Sequence, residues 1–216
     1  MRYKERKILD KVGERMSVRE LGDLAFEIVS GTVVSRLECK KEKESKVSSV
    51  NVLTLKAINY GKIEAEYLQT IEIGKNASIG KFTKYGDLII KMSKPYDSVY
   101  IEKEYTDLLV PSFCCLIRGI DKEIVDPYYL LGYLNSSFTK EYLTTSNGAA
   151  AASLLKIKDI KKLPVPLQEI TEQRAIGNVF KICSERQVLL SKMMKHEMRI
   201  AENIVMDGVR SGFKND

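Results

Sequence analysis

The stretch from Lys161 to Met206 constrains this chain more than any other. It begins Lys161-Lys162-Leu163-Pro164-Val165-Pro166-Leu167 and runs through Gln168-Glu169-Ile170 into Thr171-Glu172-Gln173-Arg174-Ala175-Ile176. Pro164 and Pro166 exclude a helix just ahead of it, because each fixes φ and lacks an N–H donor. Beyond them no proline and no glycine except Gly177 occurs before Met206, and apolar and polar residues recur at helical spacing. Thr171 is placed to cap the helix, and Glu172 to face the positive end of its dipole. The pattern predicts a helix of about 35 residues, roughly 50 Å long. Such a helix outruns a small domain, so part of its apolar stripe needs a partner helix.

That stripe has a defined seam. Ile176, Val179, Cys183, Leu190, Met193, Ile200 and Ile204 follow at alternating three- and four-residue steps or multiples of them, with Arg186 and Glu197 interrupting. Phe180, Leu189, Met194, Met198, Ala201 and Val205 widen the face. The first two turns are expected to pack on their own domain. From Leu190 onward the double stripe calls for another helix, and the polar interruptions make pairing selective in register. Ile176, Val179, Cys183, Leu190, Met193, Met194 and Ile204 are therefore assigned to a dimer or partner-helix surface.

The 216 residues, 44% of them apolar, suffice for one domain with a real core and an appendage. A net charge of +6 is compatible with a polyanionic partner. The apolar runs are too short to span a bilayer, and Met1-Arg2-Tyr3-Lys4-Glu5-Arg6-Lys7 has no signal-peptide core, which points to the cytoplasm and away from a membrane. Cys39, Cys114, Cys115 and Cys183 share no metal-ligand spacing and read as reduced thiols, with Cys114 and Cys115 in a strand. His196, on the charged part of the long helix, reads as a solvated residue.

Along the chain, residues 3–16 read as a short amphipathic helix, and Ser17-Val18-Arg19-Glu20 has capping-box spacing ahead of a helical turn at Leu21. Leu24 to Val29 is a predicted strand between turn signals. Glu38 to Ser49 is a charged loop. Strands are predicted in Val50–Leu55, Ala65–Ile73, Asp87–Met92 after the Tyr85-Gly86 turn, Ser98–Ile101 and Leu109–Arg118. From Asp126-Pro127 the pattern turns helical through Tyr142. Thr144 to Ser153 is a small-residue loop, and a return strand then leads to the two prolines. Strands and helices mix without a βαβ rhythm, which makes the fold class α+β: a mixed α/β domain followed by one long helix of coiled-coil character.

Taken together, these pieces resemble the specificity (S) subunit of type I restriction-modification systems, from Leu21 to about Ile204. The resemblance rests first on Lys158-Asp159-Ile160-Lys161-Lys162-Leu163-Pro164-Val165-Pro166 followed by Glu172-Gln173-Arg174-Ala175-Ile176. In that family a target-recognition domain ends on a Pro-x-Pro strand and an x-Gln-x-x-Ile signature opens a long spacer helix. Leu21-Gly22-Asp23 with Ser30-Gly31-Thr32 is similar to the family's opening. Tyr85-Gly86-Asp87-Leu88-Ile89 is similar to its central strand, and Asp126-Pro127-Tyr128-Tyr129-Leu130-Leu131 through Asn135-Ser136 to the helix that follows.

The resemblance implies a non-catalytic DNA-binding subunit that directs a methyltransferase (M) subunit, and with it a restriction (R) subunit, to double-stranded DNA. S-adenosylmethionine, Mg²⁺ and ATP would belong to those partners, and no cofactor to this chain. A full specificity subunit has two recognition domains held apart by antiparallel spacer helices, whereas this chain has one of each. It therefore resembles a half subunit or the product of a truncated gene, with residues 1–16 a remnant of a preceding spacer and a homodimer through the long helix restoring the second domain. The expected boundaries are 1–16 for the N-terminal helix, 17–168 for the recognition domain, 169–208 for the spacer and 209–216 for a tail.

For DNA contact, phosphates need cations and close backbone approach, while bases need planar or forked donors at groove depth. Lys81, Lys84, Lys91 and Lys94 surround the Asp87–Met92 strand with Tyr85 and Tyr96 interleaved, and Lys156, Lys158, Lys161 and Lys162 gather at the Asn147-Gly148 loop's return. Gly31, Gly86 and Gly148 would admit the backbone. The candidate contact set is Arg36, Asn59, Lys84, Lys91, Ser93, Lys94, Tyr96, Asn147, Gly148 and Lys156. Two rival readings stay open. One is a stand-alone metal-dependent nuclease using Glu38-Cys39-Lys40 or Glu44-Ser45-Lys46 with Asp23. The other is a decoy that binds methyltransferase subunits without reading DNA. No Asn-Pro-Pro-Tyr motif, phosphate-binding glycine loop or histidine placed as a base supports catalysis.

Overall fold

The computed structural model describes residues 16–38, 48–73, 80–146 and 154–212. The helix expected over 3–16 lies outside these residues except for Met16, as do Asn147, Gly148 and most of the charged loop after Glu38. The strands are β1 (Ser17–Glu20), β2 (Ala25–Ser30), β3 (Ser48–Val52), β4 (Ile58–Asn59), β5 (Lys62–Ile63), β6 (Gln69–Ile73), β7 (Leu88–Lys91), β8 (Ser98–Tyr100), β9 (Cys114–Ile120) and β10 (Pro164–Leu167). The helices are α1 (Pro127–Asn135), α2 (Ser137–Ser146), α3 (Ile157–Lys161) and α4 (Ile170–Gly212).

A four-stranded sheet in the order β2-β9-β7-β8 organises the domain, and every ladder between named strands is antiparallel. Both of its faces are covered, which is why β7 reads as an unbroken apolar run. Leu88 and Ile90 with Cys115 and Ile117 face a core completed by Leu130, Leu131, Leu134 and Leu143 from α1 and α2. Ile89 with Cys114 and Leu116 face a second core with Leu53, Ile58, Ile63 and Val110. The β3–β6 ribbon closes a third cluster over Leu37 and Leu109. The α+β class and the order of elements agree with the sequence reading.

Several local expectations are corrected. Ser17–Glu20 forms no capping box: the side chain at the cap of the following 3-10 turn (Leu21–Asp23) makes no capping bond, and the segment is a strand paired with β10, Ser17 opposite Leu167 and Glu20 opposite Pro164. The predicted return strand is the short helix α3. The single helical run from Tyr128 to Tyr142 is broken at Ser136, whose extended backbone ends α1. Thr171 lies inside α4, because the Gln173 N–H bonds to the Glu169 carbonyl and starts the helix earlier. At 43 residues α4 is longer than expected.

The Pro-x-Pro strand owes its form to its neighbours. Its prolines cannot donate, and their carbonyls accept hydroxyl bonds from Tyr133 (to Pro164) and Tyr129 (to Pro166, 2.6 Å), two residues one turn apart on α1. Asp126 caps α1 by accepting from the Tyr128 and Tyr129 N–H groups at 3.0 and 2.9 Å, with Pro127 at the first helical position, an arrangement worth about 1 kcal/mol. Asn135 closes the helix against the sheet edge: its amide accepts from Ser98 N–H at 3.0 Å and donates to the Ser98 carbonyl at 2.9 Å.

The chain divides into two compact units, Met1–Phe180 and Lys181–Asp216. The second consists, in its described part, of the remainder of α4.

Candidate nucleic-acid interface and the exposed helix seam

The motif Tyr85-Gly86-Asp87 is built by the fold for the fold. Asp87 is buried and accepts from the Lys84 N–H at 2.7 Å, which closes the turn. It also takes a bidentate pair from Arg118 of β9, Nε to Oδ1 at 2.9 Å and an Nη to Oδ2 at 2.7 Å. The Asp87 hydrogen bonds raise the Arg118 pKa further, and a third bond, to the Phe82 carbonyl at 2.7 Å, fixes the guanidinium. Ser30-Gly31-Thr32 is likewise internal. A Cβ on Gly31 would meet the Pro111 carbonyl oxygen at 2.2 Å, so the close approach this glycine permits is to its own chain and not to a nucleic-acid backbone.

Two of the expected DNA-contacting side chains point inward. Lys91 is 7% exposed and its ammonium bonds Asp97 at 2.9 Å; Tyr96 is 2% exposed. A phosphate has no access to a charge already committed in the interior. Lys140 adds a second bond to Asp97 at 2.6 Å. Burial pushes the Asp97 carboxyl up, but the hydrogen bonds and charges of Lys140 and Lys91 outweigh it and hold the group below its ordinary value. Lys81 is also engaged, its ammonium donating to the Ser30 carbonyl at 2.7 Å. A lysine ending an apolar strand looks the same in sequence whether it is solvated or paired, and Lys140 is distant in the chain.

The remaining candidates separate into groups. Ser93 is half-buried, Lys94 and Lys156 are exposed, and a backbone bond from Leu155 N–H to the Met92 carbonyl at 2.8 Å brings their segments side by side. Lys158, Lys161 and Lys162 are exposed on α3 and just after it. Lys84 is exposed beside Tyr85, whose ring centre lies 5.8 Å from the Lys103 ammonium and 5.9 Å from that of Lys122, a cationic aromatic patch that the sequence reading missed. Asn59 is exposed but engaged, its amide donating to Glu64 at 2.7 Å, and Arg36 is exposed on the 3-10 turn Val34–Arg36. Of the nuclease constellation, Asp23 and Glu38 are exposed and the lysines lie outside the described residues. Among the described residues no three acidic, histidine or cysteine side chains gather as a metal-ligand set, and no helix is long and apolar enough to cross a membrane. Burial pushes the Cys114 and Cys115 thiols up to about 12, which makes them inert packing groups.

The first turns of α4 pack on their own domain, as expected, but through Gln173 and Gly177, which the sequence reading did not assign, and through Phe180, which it placed on the widened partner face. Gln173, 1% exposed, accepts from the Asp126 N–H at 3.1 Å and donates to the carbonyls of Ile124 at 3.1 Å and Gln168 at 2.8 Å. One turn on, Gly177 lies against the α1 cap, where a Cβ would sit 2.2 Å from Asp126 Oδ1 and 2.6 Å from the Tyr129 nitrogen. Phe180 packs over Gly132 and against Tyr60, ring centres 6.1 Å apart, and Tyr60 also carries the Lys140 ammonium at 5.1 Å. Spacings of four and three along one helix face make this the domain-facing stripe. The residues assigned to a partner helix are different ones: Ile176, Val179, Leu190, Met193, Met194 and Ile204 are 45–67% exposed, and Cys183 is exposed with them. His196 is exposed as expected.

No protein-family model matches the chain, and no curated protein matches it. Solved structures do. The HsdS subunit from Thermoanaerobacter tengcongensis superposes with a TM-score of 0.61 at 19% identity, over 84% of this chain and 45% of that one. A chain from a type I R-M system, solved for its complex assembly and conformational transition, gives 0.61 at 18% identity, over 82% and 44%. The type I restriction-modification system S subunit from M. genitalium gives 0.51 at 13% identity, over 84% and 42%. The likeness is one of fold, and the chain spans less than half the length of each of these structures.

Proposed function

We propose that this chain, which has the fold of a type I specificity subunit, is a non-catalytic, sequence-specific DNA-recognition subunit in half-length form. Residues 17–168 are its recognition domain and the long helix from 169 is its spacer. It directs a methyltransferase subunit, and through it a restriction subunit, to double-stranded DNA. S-adenosylmethionine, Mg²⁺ and ATP chemistry belongs to those partners, and the complex is cytoplasmic. The observation that carries the reading is a domain of specificity-subunit fold ending in a 43-residue helix whose outward seam is apolar and exposed. An apolar helix face of this extent favours a second helix over water. One domain reads one short half-site, and a second copy paired through the helix about a two-fold axis supplies the other.

On the domain, Ser93, Lys94 and Lys156, next in sequence to the segment bearing Asn147 and Gly148, are the favoured DNA-contacting group, with Lys84 beside Tyr85, and with Arg36 and Asn59 as outlying candidates. The test is selection from randomised duplexes by the full chain. The expected product is an interrupted palindrome whose half-sites lie about one helical turn apart or somewhat more. Replacing Lys94 and Lys156 with alanine should weaken binding on every sequence and flatten its salt dependence, because phosphate contacts release counterions. Methyltransferase binding without any sequence enrichment would favour the decoy, and Mg²⁺-dependent cutting by the purified chain the nuclease.

A further inference from the structure

The outward seam of α4 carries two charges among apolar residues, Arg186 and Glu197, and both are exposed in the single chain. A coiled-coil seam tolerates a buried charge only where the facing helix answers it, and such positions select orientation and register. We propose that a second copy of this chain docks on the seam antiparallel and in one register, the one in which Arg186 of each copy meets Glu197 of the other. This rests on the reading of α4 as a self-associating helix and adds its geometry.

The seam residues occupy alternating three- and four-residue steps, so in an antiparallel pair each residue from one step faces a residue from the other. Setting Arg186 opposite Glu197 of the second copy places Val179 opposite Ile204, Cys183 opposite Ile200 and Leu190 opposite Met193. Each apolar layer from Val179 to Ile204 is then matched by an apolar layer, and the two-fold axis makes the charge pair twice. Ile176 falls at the end of the overlap, opposite Asp207. The flanking positions agree, since Leu189 then faces His196 and Ile182 faces Asn203, with no like charges together.

Other arrangements fail on the same residues. A shift of one heptad in either direction buries Arg186 against Leu190 or Ile204 and leaves Glu197 against Val179 or Met193. A parallel pair in register sets Arg186 on Arg186 and Glu197 on Glu197, and like charges face to face at an interface are strongly unfavourable. The pair therefore acts as a selector of register more than a source of affinity.

Charge reversal tests this on the full chain. Arg186→Glu or Glu197→Arg alone should weaken self-association about a hundredfold, since each creates two like-charge contacts. The double reversal R186E/E197R should restore most of the loss. Helical circular dichroism confirms that each variant is folded. An independent reading uses the native thiol: in a Cys39→Ser background, Ile200→Cys should give disulfide-linked dimers with Cys183 under mild oxidation. The same background without Ile200→Cys should not cross-link, because the two Cys183 residues then lie about 25 Å apart along the axis. Cross-linking through Cys183 alone, or a double reversal as weak as either single one, overturns the register while leaving the dimer intact. A wild-type chain that stays monomeric at tens of micromolar overturns the self-association reading itself.

Discussion

Gln173 is the residue through which the long helix is tied to the domain, and its removal has a calculable cost. Replacing it with methionine keeps the volume and the helical preference but leaves the Asp126 N–H and the carbonyls of Ile124 and Gln168 without their side-chain partner. A buried polar group left unpaired costs about 1–3 kcal/mol, and among the described residues Gln173 is the acceptor for the Asp126 N–H beside the α1 cap. Water reaching the two carbonyls offsets part of their loss, so the whole substitution should cost about 3 kcal/mol. Against a total stability of about 5–15 kcal/mol this is a large fraction. In urea, with an m-value of about 1–3 kcal/mol per M, the midpoint should fall by about 1–3 M. The chain has no tryptophan but 11 tyrosines, so tyrosine fluorescence can follow the transition. Wild type and variant must be compared at one protein concentration, since association would add to the apparent stability. Gln173→Ala, which also opens a cavity, should lose more than Gln173→Met. A methionine variant whose midpoint lies within a few tenths of a molar of wild type would refute the idea that these three bonds hold the helix.

Two further outcomes follow from the same region and its neighbour. Gly177→Ala should destabilise the domain by more than the usual gain from removing a helical glycine, because its Cβ meets backbone and the capping carboxylate; a rise in the thermal midpoint would contradict this. Asp97 has its carboxyl held below 3.8 in the folded chain, so its contribution is fully present above that value and is lost as pH falls through the lower folded one. Asp97→Asn should therefore remove stability at pH 7, and its effect should shrink as pH falls below 3.8 and through the lowered folded value, a convergence that acid titration of both proteins would reveal or exclude.

The elements that were legible in the sequence are those with local causes. The 3.6-residue period announced α4, two prolines announced the break before it, and Asp126-Pro127 announced the start of α1. What was not legible depends on partners far away in the chain. Ser17–Glu20 carries the pattern of a helix cap and becomes a strand because β10, nearly the whole domain later, is there to pair with it. Lys91 looked like a surface group because nothing local reveals that it and the distant Lys140 converge on a buried Asp97, and Tyr96 because its place in the main core is set by residues far along the chain. On α4 the apolar spacing is plain in the sequence, and the residues that carry it are exposed in the single chain. The domain-facing stripe was missed because Gln173 and Gly177 are not apolar, and their roles arise only when Asp126 lies against them.

The pairing of β1 with β10 has a topological consequence. β1 begins at Ser17 and β10 ends at Leu167, and these two residues face each other across one ladder. Everything from Leu21 to Leu163 is thus a closed excursion whose ends are held together by the backbone bonds of that ladder, while two tyrosine hydroxyls tie α1 to its closing strand. A chain wired in this way starts and ends its excursion at one place. Loops within the excursion can differ in length without moving the point at which the chain is handed on to its helix.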